Sequence, residues 1–575
     1  MDLEEIVDRF VHENALKHGE AKTASVMGAI INGHPELKNR AKDIAPIVTR
    51  RVTWINNLDY ESIEKRCREK YPEFFEKEKK IKEKKTELPP LEGAIDGQVC
   101  TRLPPEPSGY LHVGHGYAGF INHYYARRYH GKVILRFEDT NPDKVKLKYY
   151  DSICEDYQYM GIDWDEKVIE SDRVPIYQGY ARELIEKGEA YVCSCQKEVV
   201  RENRREGREC EHRFQSIEDT LDKWEWMLED AGKGDATLRI RGDMQSPKAA
   251  LHDPAIMRVV ETPHCLQGDK YRVWPLYDFA VSIEDGVLGI THVLRSEEFV
   301  QKVPLQNLIR DKLGLPSPSF IHFSRLRLID APVQKRQIRE LIEKGIIEAW
   351  NDIRLATLSG MRRRGIVPET IRQLAFDMQL STSQSKMDMS YLLSLNSKII
   401  DGIAKRCFAV IDPVVLRVAD SSGGDVELAI HPKNSGLGSR KLPYGSAFYV
   451  SRSDIDLLKP GHTVRLKDLF NISVQEIKRD SNDQLVVNAS IDESKSKDFD
   501  KIQWVPANFS KELLLNIPGL LYVNGEINPE SLTIAKGFIE QSVLEFQVGD
   551  LLQLERIGYG RIDKLSTDLI EINLT

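Results

Sequence analysis

A stretch rich in proline, glycine and histidine is the part of the sequence best suited to chemistry. Residues 102–116 read Arg-Leu-Pro-Pro-Glu-Pro-Ser-Gly-Tyr-Leu-His-Val-Gly-His-Gly. His112 and His115 lie three residues apart at the start of a predicted helix, so they share one face. A helix N-terminus has free N–H groups and a partial positive charge, which suit a polyphosphate. Two imidazoles there can donate hydrogen bonds to a phosphate as negative charge develops on it.

The same stretch contains the glycine triplet of dinucleotide-binding folds. Gly114, Gly116 and Gly119 form G-x-G-x-x-G. Glu138 and Asp139 follow about 20 residues later, where such a fold would hold a ribose. In that fold the first glycine closes a tight turn directly after the strand, whereas nine residues, three of them proline, separate the predicted strand from the predicted helix here. A dehydrogenase remains an alternative on the pattern alone, but a polyphosphate site explains more of the residues.

Three predicted elements would position these side chains. The pattern predicts a strand over 98–103, a helix over 113–129 and a strand over 132–137. A strand–helix–strand succession of this kind indicates a parallel sheet.

The rest of the chain divides by pattern. Apolar residues at helical spacing dominate the first 70 residues, and a charged run followed by Pro89 and Pro90 predicts a boundary. Short alternating runs broken by Gly, Pro, Asn and Asp fill the C-terminal part and predict β-barrels. We predict a helical extension (1–75), a charged linker (76–96), a nucleotide-binding α/β domain (97–345) with an insertion at about 190–270, a helical region (346–405) and a β-barrel region (406–575).

Composition excludes several classes of protein. The 575 residues carry 81 Lys and Arg against 89 Asp and Glu, a net charge of −8, which argues against a general nucleic-acid coat but leaves room for a local basic groove. No run approaches the roughly 20 apolar residues of a membrane helix, and the first residues do not predict a secretory signal. Eight cysteines are too few for a disulfide scaffold and indicate a reducing cytosol.

Two short motifs could hold a metal ion. Cys193 and Cys195 precede a very polar segment, and Cys210 and His212 follow it. Four soft ligands across a loop that cannot form its own core suit a structural, tetrahedral Zn²⁺ site. The alternative is two reduced cysteine pairs packed near the surface. Catalysis by these cysteines is not predicted, because no base is suggested beside them.

Several blocks resemble one enzyme family. Residues 104–115 closely resemble the first signature of class I aminoacyl-tRNA synthetases, in the form used by the glutamyl/glutaminyl subgroup. Further blocks resemble that family in the expected order: 136–142, 277–279, 289–295, 350–358 and 362–365. Residues 409–413 and 554–559 resemble the β-barrel anticodon module of archaeal and eukaryotic members, and residues 1–70 resemble the helical extension of archaeal-type enzymes.

The resemblance implies a multidomain α/β and β fold. Its parts would be a Rossmann-like catalytic core, an N-terminal helical extension, a helical stem-contact region and C-terminal antiparallel β-barrel anticodon-binding domains. The implied ATP-binding residues are Pro105, Glu106, Ser108, Gly109, His112, Gly114 and His115, with Gly114 allowing close approach of the nucleotide to the backbone. The implied catalytic residues are His112, His115, Lys335 and Arg336. The implied glutamate-binding residues are Arg102, Glu138, Tyr277 and Arg295.

The choice between glutamate and glutamine depends on charge. A buried substrate carboxylate needs a cation, and an arginine can meet it with a bidentate fork. The glutaminyl branch has an uncharged residue where this chain has Arg295, so Arg295 favours glutamate. Ser108, where glutaminyl enzymes carry Asn, favours it too. The alternative for Arg295 is a surface salt bridge with Glu297 or Glu298.

One block departs from the family. The second class I signature is a loop whose lysines stabilise the leaving pyrophosphate, and its expected place, 331–337, reads Ala-Pro-Val-Gln-Lys-Arg-Gln. Gln337 occupies the position of the more important lysine, so Lys335, Arg336 or a group elsewhere would have to supply part of the charge. Two outcomes follow: an active enzyme with a shifted loop, or a tRNA-binding paralogue that activates glutamate weakly.

The resemblance implies a glutamate–tRNA ligase that uses ATP with Mg²⁺, L-glutamate and tRNA(Glu), with tRNA(Gln) left open as a second acceptor. A glutaminyl enzyme is the alternative within the family. We expect a cytoplasmic monomer with a structural Zn²⁺ at Cys193, Cys195, Cys210 and His212. The clusters at 201–208, 335–336 and 362–364 are expected to contact tRNA phosphates.

Overall fold

The computed structural model describes residues 3–71, 74, 85–329, 331–332, 334–383, 386–481, 483–494, 496 and 498–575. Most of the predicted charged run at 76–87 therefore lies outside the described residues. The chain forms two compact units, Met1–Lys84 and Lys85–Thr575. None of the helices in the described ranges combines the length and the hydrophobicity that crossing a bilayer requires.

The first unit is helical, in agreement with the periodicity of its sequence. Its core is formed by apolar residues that include Val7, Val11, Ile44 and Val48, all fully buried. The helices are α1 (Leu3–His18), α2 (Thr23–Gly33), α3 (Ala41–Ile55) and α4 (Tyr60–Lys70).

The second unit begins with an α/β core. The elements in chain order are β1 (Cys100–Leu103), α5 (Val113–Arg128), β2 (Lys132–Phe137), α6 (Lys148–Tyr159), β3 (Glu166–Ile169), α7 (Val174–Glu186), β4 (Ala190–Cys193), α8 (Lys197–Glu206), α9 (Ile217–Glu229), β5 (Thr237–Ile240), β6 (Ala255–Val259), β7 (Val273–Pro275), α10 (Tyr277–Val287), β8 (His292–Ser296), α11 (Val303–Leu313), β9 (Ser319–Phe323), β10 (Arg327–Leu328) and α12 (Lys335–Glu343).

The strands of this core are parallel where the sequence predicts it. β1 pairs with β2 and β2 with β3, both in parallel, and β8 pairs in parallel with β9. Two hydrogen bonds link the start of β1 to the residue before β8: Thr291 N–H donates to Cys100 O at 3.0 Å, and Cys100 N–H donates to Thr291 Oγ1 at 2.8 Å. The carboxyl ends of β1, β2 and β8 therefore meet at one edge, where open α/β sheets bind their ligands. The inserted strands β4 to β7 form a separate antiparallel sheet.

The three glycines of the dinucleotide-like pattern lie within α5, not in a turn before it. A Cβ on Gly116 would lie 3.0 Å from Leu358, and one on Gly119 would lie 2.8 Å from Tyr157. These glycines therefore allow α5 to pack closely against its neighbours. The geometry does not support the dehydrogenase alternative, because that fold needs the first glycine at the strand–helix turn.

Helices and then strands follow the core. The next elements are α13 (Leu358–Arg364), α14 (Pro368–Met378), β11 (Lys386–Met387) and α15 (Met389–Ile400). The strands after them are β12 (Lys405–Cys407), β13 (Ala409–Ile411), β14 (Pro413–Val418), β15 (Gly424–Ala429), β16 (Ser439–Tyr444), β17 (Ala447–Ser451), β18 (Thr463–Leu466), β19 (Asn471–Arg479), β20 (Leu485–Asp492), β21 (Lys501–Ile502), β22 (Trp504–Pro506), β23 (Ser510–Pro518), β24 (Tyr522–Val523), β25 (Glu526–Ile527), β26 (Leu532–Glu540), β27 (Leu551–Leu554), β28 (Gly558–Leu565) and β29 (Leu569–Leu574).

The C-terminal strands form two seven-stranded sheets. Their orders are β12-β27-β28-β29-β23-β26-β13 and β21-β18-β19-β20-β14-β17-β22. Most pairings are antiparallel, as predicted, while β12–β27, β14–β20, β18–β21 and β23–β29 are parallel. Asp412 alone separates β13 in one sheet from β14 in the other, and its φ of +48° makes the change of direction.

Candidate active site

A cavity of about 610 Å³ opens where β1, β2 and β8 end. Its wall includes the loop after β1, the end of β2, the start of α10 and the end of β8, which lie far apart in the chain. The predicted site residues on this wall are Arg102, Pro105, Glu106, His112, Gly114, His115, Glu138, Tyr277, Arg295 and Lys335. Of the other predicted residues, Ser108 and Gly109 contact Lys335 beside the cavity, and Arg336 is exposed and does not line it.

The two histidines are fixed by the backbone at the start of α5. His112 is the N-cap residue, and its Nδ1 accepts a hydrogen bond from Gly114 N–H at 3.0 Å. His115 Nδ1 accepts one from His112 N–H at 3.2 Å. Because a backbone N–H can only donate, both Nδ1 atoms are unprotonated and both rings carry their proton on Nε2. Each neutral ring therefore keeps one Nε2–H donor free of the helix cap.

Burial keeps both rings neutral. It lowers the pKa of His115 to about 4, with a further contribution from the nearby Lys335 ammonium. The pKa of His112 is also well below its usual value, because of burial and then because of His115. At neutral pH the pair is thus a hydrogen-bond donor to phosphate without a formal charge.

Two glycines make room for side chains of the protein itself. A Cβ on Gly114 would lie 2.9 Å from Cε1 of His112. The resemblance implies that Gly114 allows close approach of a nucleotide; within the protein, the atoms nearest to such a Cβ belong to the His112 ring. A Cβ on Gly109 would lie 2.6 Å from Cε of Lys335. Substitution at either position would displace a side chain that lines the cavity.

Asp156 holds the loop that leads to His112. This residue of α6 is 4% exposed, and its carboxyl accepts a hydrogen bond from Leu111 N–H. Burial raises the pKa of Asp156 to about 7, the charge of Arg362 opposes this rise, and the charge of Glu155 adds to it. Between pH 4 and 7 the folded state therefore binds a proton that the unfolded chain has lost, so this group destabilises the fold as pH rises through that window.

We expect Asp156→Asn to be more stable than the unsubstituted protein at alkaline pH, since Asn keeps the acceptor for Leu111 and never ionises. The advantage should grow by about 2–3 kcal/mol between pH 5 and pH 8. Thermal or urea unfolding of both proteins at the two pH values measures it. Asp151→Asn, at an exposed position on the same helix, is the control and should show no such growth. An Asp156→Asn advantage that is independent of pH would contradict the assignment.

Lys335 places a cation beside the loop that follows β1. Its Nζ donates to Ser108 Oγ and lies 3.8 Å from Glu106 Oε2, while Ser108 Oγ donates to Glu106. Lys335 is the first residue of α12, which begins after Gln334. Val333, in the predicted signature loop, lies outside the described residues. The lysine two residues before Gln337 thus reaches the loop that follows β1.

A buried arginine organises the acidic side of the cavity. Arg136 is fully buried and donates from Nη1 to Asp285 Oδ1 at 2.7 Å and from Nη2 to Glu138 Oε1 at 2.8 Å. Arg102 Nε lies 3.8 Å from the same Asp285 oxygen and has no hydrogen-bond partner in the described chain. Burial raises the pKa of Glu138, and the charge of Arg136 opposes this rise. Glu138 is therefore held in place as an acceptor for a cationic group.

Sequence reasoning missed Arg136 and Asp285. A signal for Arg136 existed, because residues two apart on a strand share a face and Arg136 lies two before Glu138. No signal existed for Asp285, which lies 149 residues from Arg136 in the chain.

Arg295, near the end of β8, also lines the cavity and is only 6% exposed. Its Nη2 donates to Gln306 Oε1 at 3.0 Å and approaches the Phe299 carbonyl at 3.4 Å, and its Nε lies 3.5 Å from His322 Nε2. Its Nη1 is buried without any hydrogen-bond partner among the described residues. This burial is incompatible with the alternative of a surface salt bridge with Glu297 or Glu298.

Four soft ligand atoms meet in the inserted domain. The ligand atoms of Cys193, Cys195, Cys210 and His212 all lie within 4.8 Å of one another. Cys210 Sγ is 3.8 Å from Cys193 Sγ, 3.3 Å from Cys195 Sγ and 3.2 Å from His212 Nδ1. A tetrahedral Zn²⁺ with Zn–S bonds of about 2.3 Å separates its ligand atoms by about 3.7 Å, so the cluster has nearly the required size.

The three arginines of the predicted tRNA-contact cluster at 362–364 differ in exposure and in their partners. Arg362 is exposed, whereas Arg363 forms an ion pair with Asp563 of β28 at 2.7 Å and Arg364 is 7% exposed. Only Arg362 is thus available to a phosphate from solvent. By contrast, Arg201, Arg205 and Arg208 in the 201–208 cluster are exposed.

The chain is similar to proteins of one known family. The family model "tRNA synthetases class I (E and Q), catalytic domain" matches residues 98–401, and two anticodon-binding domain models of the same family match residues 404–492 and 501–563. A glutamate–tRNA ligase of Pyrococcus furiosus is 38% identical over 579 residues, covering 99% of each chain. One of Nitrosopumilus maritimus is 36% identical over 552 residues, covering 96% of each. A crystal structure of a glutamate tRNA ligase from Elizabethkingia meningosepticum in complex with its amino acid is 19% identical, with a TM-score of 0.38, over 53% of this chain and 70% of that one.

The resemblance seen in the signature blocks is thereby confirmed, and so is the predicted fold class with its catalytic core and β-rich anticodon-binding region. The full-length identity to archaeal relatives and the family models lead to one conclusion: the chain belongs to the class I tRNA synthetases of the E and Q family.

Proposed function

We propose that the protein is a glutamate–tRNA ligase. It joins L-glutamate to ATP, forming glutamyl-adenylate and pyrophosphate, and then transfers the glutamyl group to the 3'-terminal adenosine of tRNA(Glu). ATP enters as its Mg²⁺ complex. The relatives named above, which match nearly the whole chain, carry this activity in their names.

One observation carries the choice of glutamate. Arg295 Nη1, on the wall of the cavity that also holds the histidine pair, is a buried donor with no hydrogen-bond partner in the described part of the chain. A buried guanidinium left unpaired is unfavourable, and a carboxylate of the substrate would remove that penalty. A neutral amide would leave the charge uncompensated, so the site favours glutamate over glutamine.

The first step follows from the positions of the side chains. The side-chain carboxylate of glutamate binds Arg295 and Arg102, and its ammonium binds Glu138, which directs the α-carboxylate towards the phosphates. That carboxylate attacks the α-phosphorus as an anion, so no base is needed. The Nε2–H groups of His112 and His115 donate to the phosphate oxygens as their charge rises.

The leaving pyrophosphate and the second step complete the reaction. Lys335, at the mouth of the ATP loop, stabilises the departing pyrophosphate by its charge. The terminal ribose hydroxyl of tRNA then attacks the carbonyl carbon of the adenylate and releases AMP. Tyr277 lines the glutamate side of the cavity, where burial raises the pKa of its phenol far above neutral, so it acts as a neutral wall.

Pyrophosphate exchange tests the proposal. The protein is assayed with glutamate or glutamine, each with and without tRNA. Exchange that depends on glutamate supports it. Exchange that depends on glutamine would show that the protein is a glutaminyl enzyme instead. Tight tRNA binding without exchange would indicate a non-catalytic paralogue.

The oligomeric state, the cellular location and a second tRNA acceptor are part of the same proposal. The enzyme acts as a monomer in the cytoplasm, and tRNA(Gln) is tested as a second acceptor. Charging assays with both tRNAs and sedimentation of the purified protein address these points directly.

The inserted domain would hold a structural Zn²⁺ through Cys193, Cys195, Cys210 and His212. Its ligands come from both ends of a polar segment whose helix α8 has no buried residue, so the ion would supply the stability that a core cannot. Bound Zn²⁺ would also keep the three thiols deprotonated at neutral pH.

We expect the purified protein to contain one Zn²⁺ by elemental analysis. Cys195→Ser should lose the ion and lower the melting temperature, and a chelator should lower that of the unsubstituted protein in the same way. Cys154→Ser, at a partly buried cysteine outside the cluster, should keep the ion. Protein without zinc, stable and insensitive to chelators, would favour two reduced cysteine pairs.

A further inference from the structure

Arg295 is held in place by a side chain that neutralises none of its charge. Gln306 of α11 is fully buried, and its Oε1 accepts the hydrogen bond from Arg295 Nη2 at 3.0 Å. The two residues are 11 apart in the chain and come from different elements, β8 and α11. The direction of the guanidinium thus depends on the position of one amide.

The orientation of that amide is fixed from its other side. Gln306 Nε2 donates to Asp278 Oδ1 at 3.1 Å, and a carboxylate can only accept. The amide nitrogen must therefore face Asp278, and the amide oxygen must face Arg295. The second oxygen of Asp278 accepts from Lys302 Nζ at 2.7 Å, so the charge of this acid is already compensated.

The remaining neighbours of Arg295 are uncharged acceptors and rings. They are the Phe299 carbonyl, His322 Nε2 and the faces of Phe299 and Phe320, whose centroids lie 5.4 and 5.0 Å from the guanidinium carbon. The ion pairs found within the described ranges do not include Arg295. Burial and the charge of Arg295 lower the pKa of His322, which keeps that ring neutral.

We infer that Gln306 is a positioning residue that determines the specificity for an anionic amino-acid side chain. It fixes the fork of Arg295 through a strong hydrogen bond, yet leaves the positive charge for the carboxylate of the substrate. The inference rests on the proposed function and adds to it the residue that makes Arg295 usable.

A carboxylate at the same position would have the opposite effect. Glutamate is nearly isosteric with glutamine, so Gln306→Glu would give Arg295 an internal counter-ion at hydrogen-bond distance. The substrate would then have to compete with that ion pair for the guanidinium, in a site where water cannot screen the charges. The loss should fall on charged substrates and spare neutral ones.

The experiment compares Gln306→Glu with the unsubstituted full-length protein in pyrophosphate exchange with tRNA present. We expect the KM for glutamate to rise about 100-fold, while the KM for ATP changes less than about twofold. L-Glutamine, added as a competitor, is the neutral probe. Its inhibition constant should stay nearly unchanged. The ratio of the glutamine inhibition constant to the glutamate KM should therefore fall by the same factor.

Two further variants separate charge from damage to the fold. Gln306→Met removes the hydrogen bond to Arg295 without adding charge, and it should raise the KM for glutamate about tenfold. Gln301→Glu makes the same change at an exposed position five residues earlier and should leave the kinetics unchanged. Melting temperatures of all variants show whether they fold.

The outcomes are distinct. A glutamate KM within about threefold of normal in Gln306→Glu, or an equal loss for glutamate and glutamine, would overturn the inference. Failure of the unsubstituted protein to exchange with glutamate would instead reject the proposed function, and that is known before any variant is made.

Discussion

Replacing Arg295 with cysteine is expected to lower kcat/KM for glutamate in pyrophosphate exchange by about 10²–10⁴-fold, or roughly 3–5 kcal/mol. The substitution removes the guanidinium that the cavity buries without a carboxylate partner. A bound glutamate would then carry its side-chain carboxylate into the same interior with nothing to compensate it. Inhibition by L-glutamine as a competitor should weaken far less, because a neutral amide does not need the cation.

The control is the same substitution at a surface ion pair. Arg182→Cys removes an arginine that pairs with Glu186 and Glu225 at the surface of α7, and it should change the kinetics less than about twofold. The KM for ATP in Arg295→Cys should also stay near normal, since Arg295 is not among the residues proposed to bind the phosphates. Unchanged glutamate kinetics in Arg295→Cys would refute the argument from charge.

Local patterns predicted the elements that carry the site. The strand over 132–137 is observed with those bounds, and the helix predicted from 113 begins at Val113. What the pattern could not show is how the loop before that helix is held. Val113 N–H donates to Ala356 O, and Leu358 N–H donates to Leu111 O, so the loop pairs with a segment more than two hundred residues away. Such contacts leave no periodicity in either segment.

The residues of the candidate site likewise fall into those that the sequence could place and those that it could not. His112 and Glu138 could be placed from the sequence, because each lies in a signature block that lines the cavity. Asp285 and Gln306 could not, since each acts only through a partner from another element. Their types are ordinary for buried helices, and only the fold reveals what they contact.

Two residues are candidates to replace the missing signature lysine. They show that sequence spacing alone does not determine which side chain reaches the cavity. Lys335 and Arg336 are adjacent at the start of α12, and successive residues of a helix point about 100° apart. Lys335 reaches Ser108 and lines the cavity, whereas Arg336 is exposed to solvent. Of the two side chains named as sources of charge, only Lys335 lines the cavity.

Lys335→Ala is accordingly expected to lower kcat of glutamate activation about 10²–10³-fold, with a smaller change in the KM for ATP. The loss falls mainly on kcat because the ammonium meets charge that develops as pyrophosphate leaves. Arg336→Ala, the adjacent control, should stay within about twofold of normal. Both are measured by tRNA-dependent pyrophosphate exchange at saturating glutamate.

The comparison of Lys335→Ala with Arg336→Ala also tests whether Lys335 compensates for the uncharged Gln337. If Lys335 replaces the signature lysine, adding Gln337→Lys to Lys335→Ala should not restore activity, because a residue two positions further along α12 points away from Ser108 by about 200°. Recovery in that double variant would mean that α12 turns or unwinds during the reaction. A loss in Arg336→Ala as large as in Lys335→Ala would mean the same, since only then could the exposed guanidinium reach the phosphates.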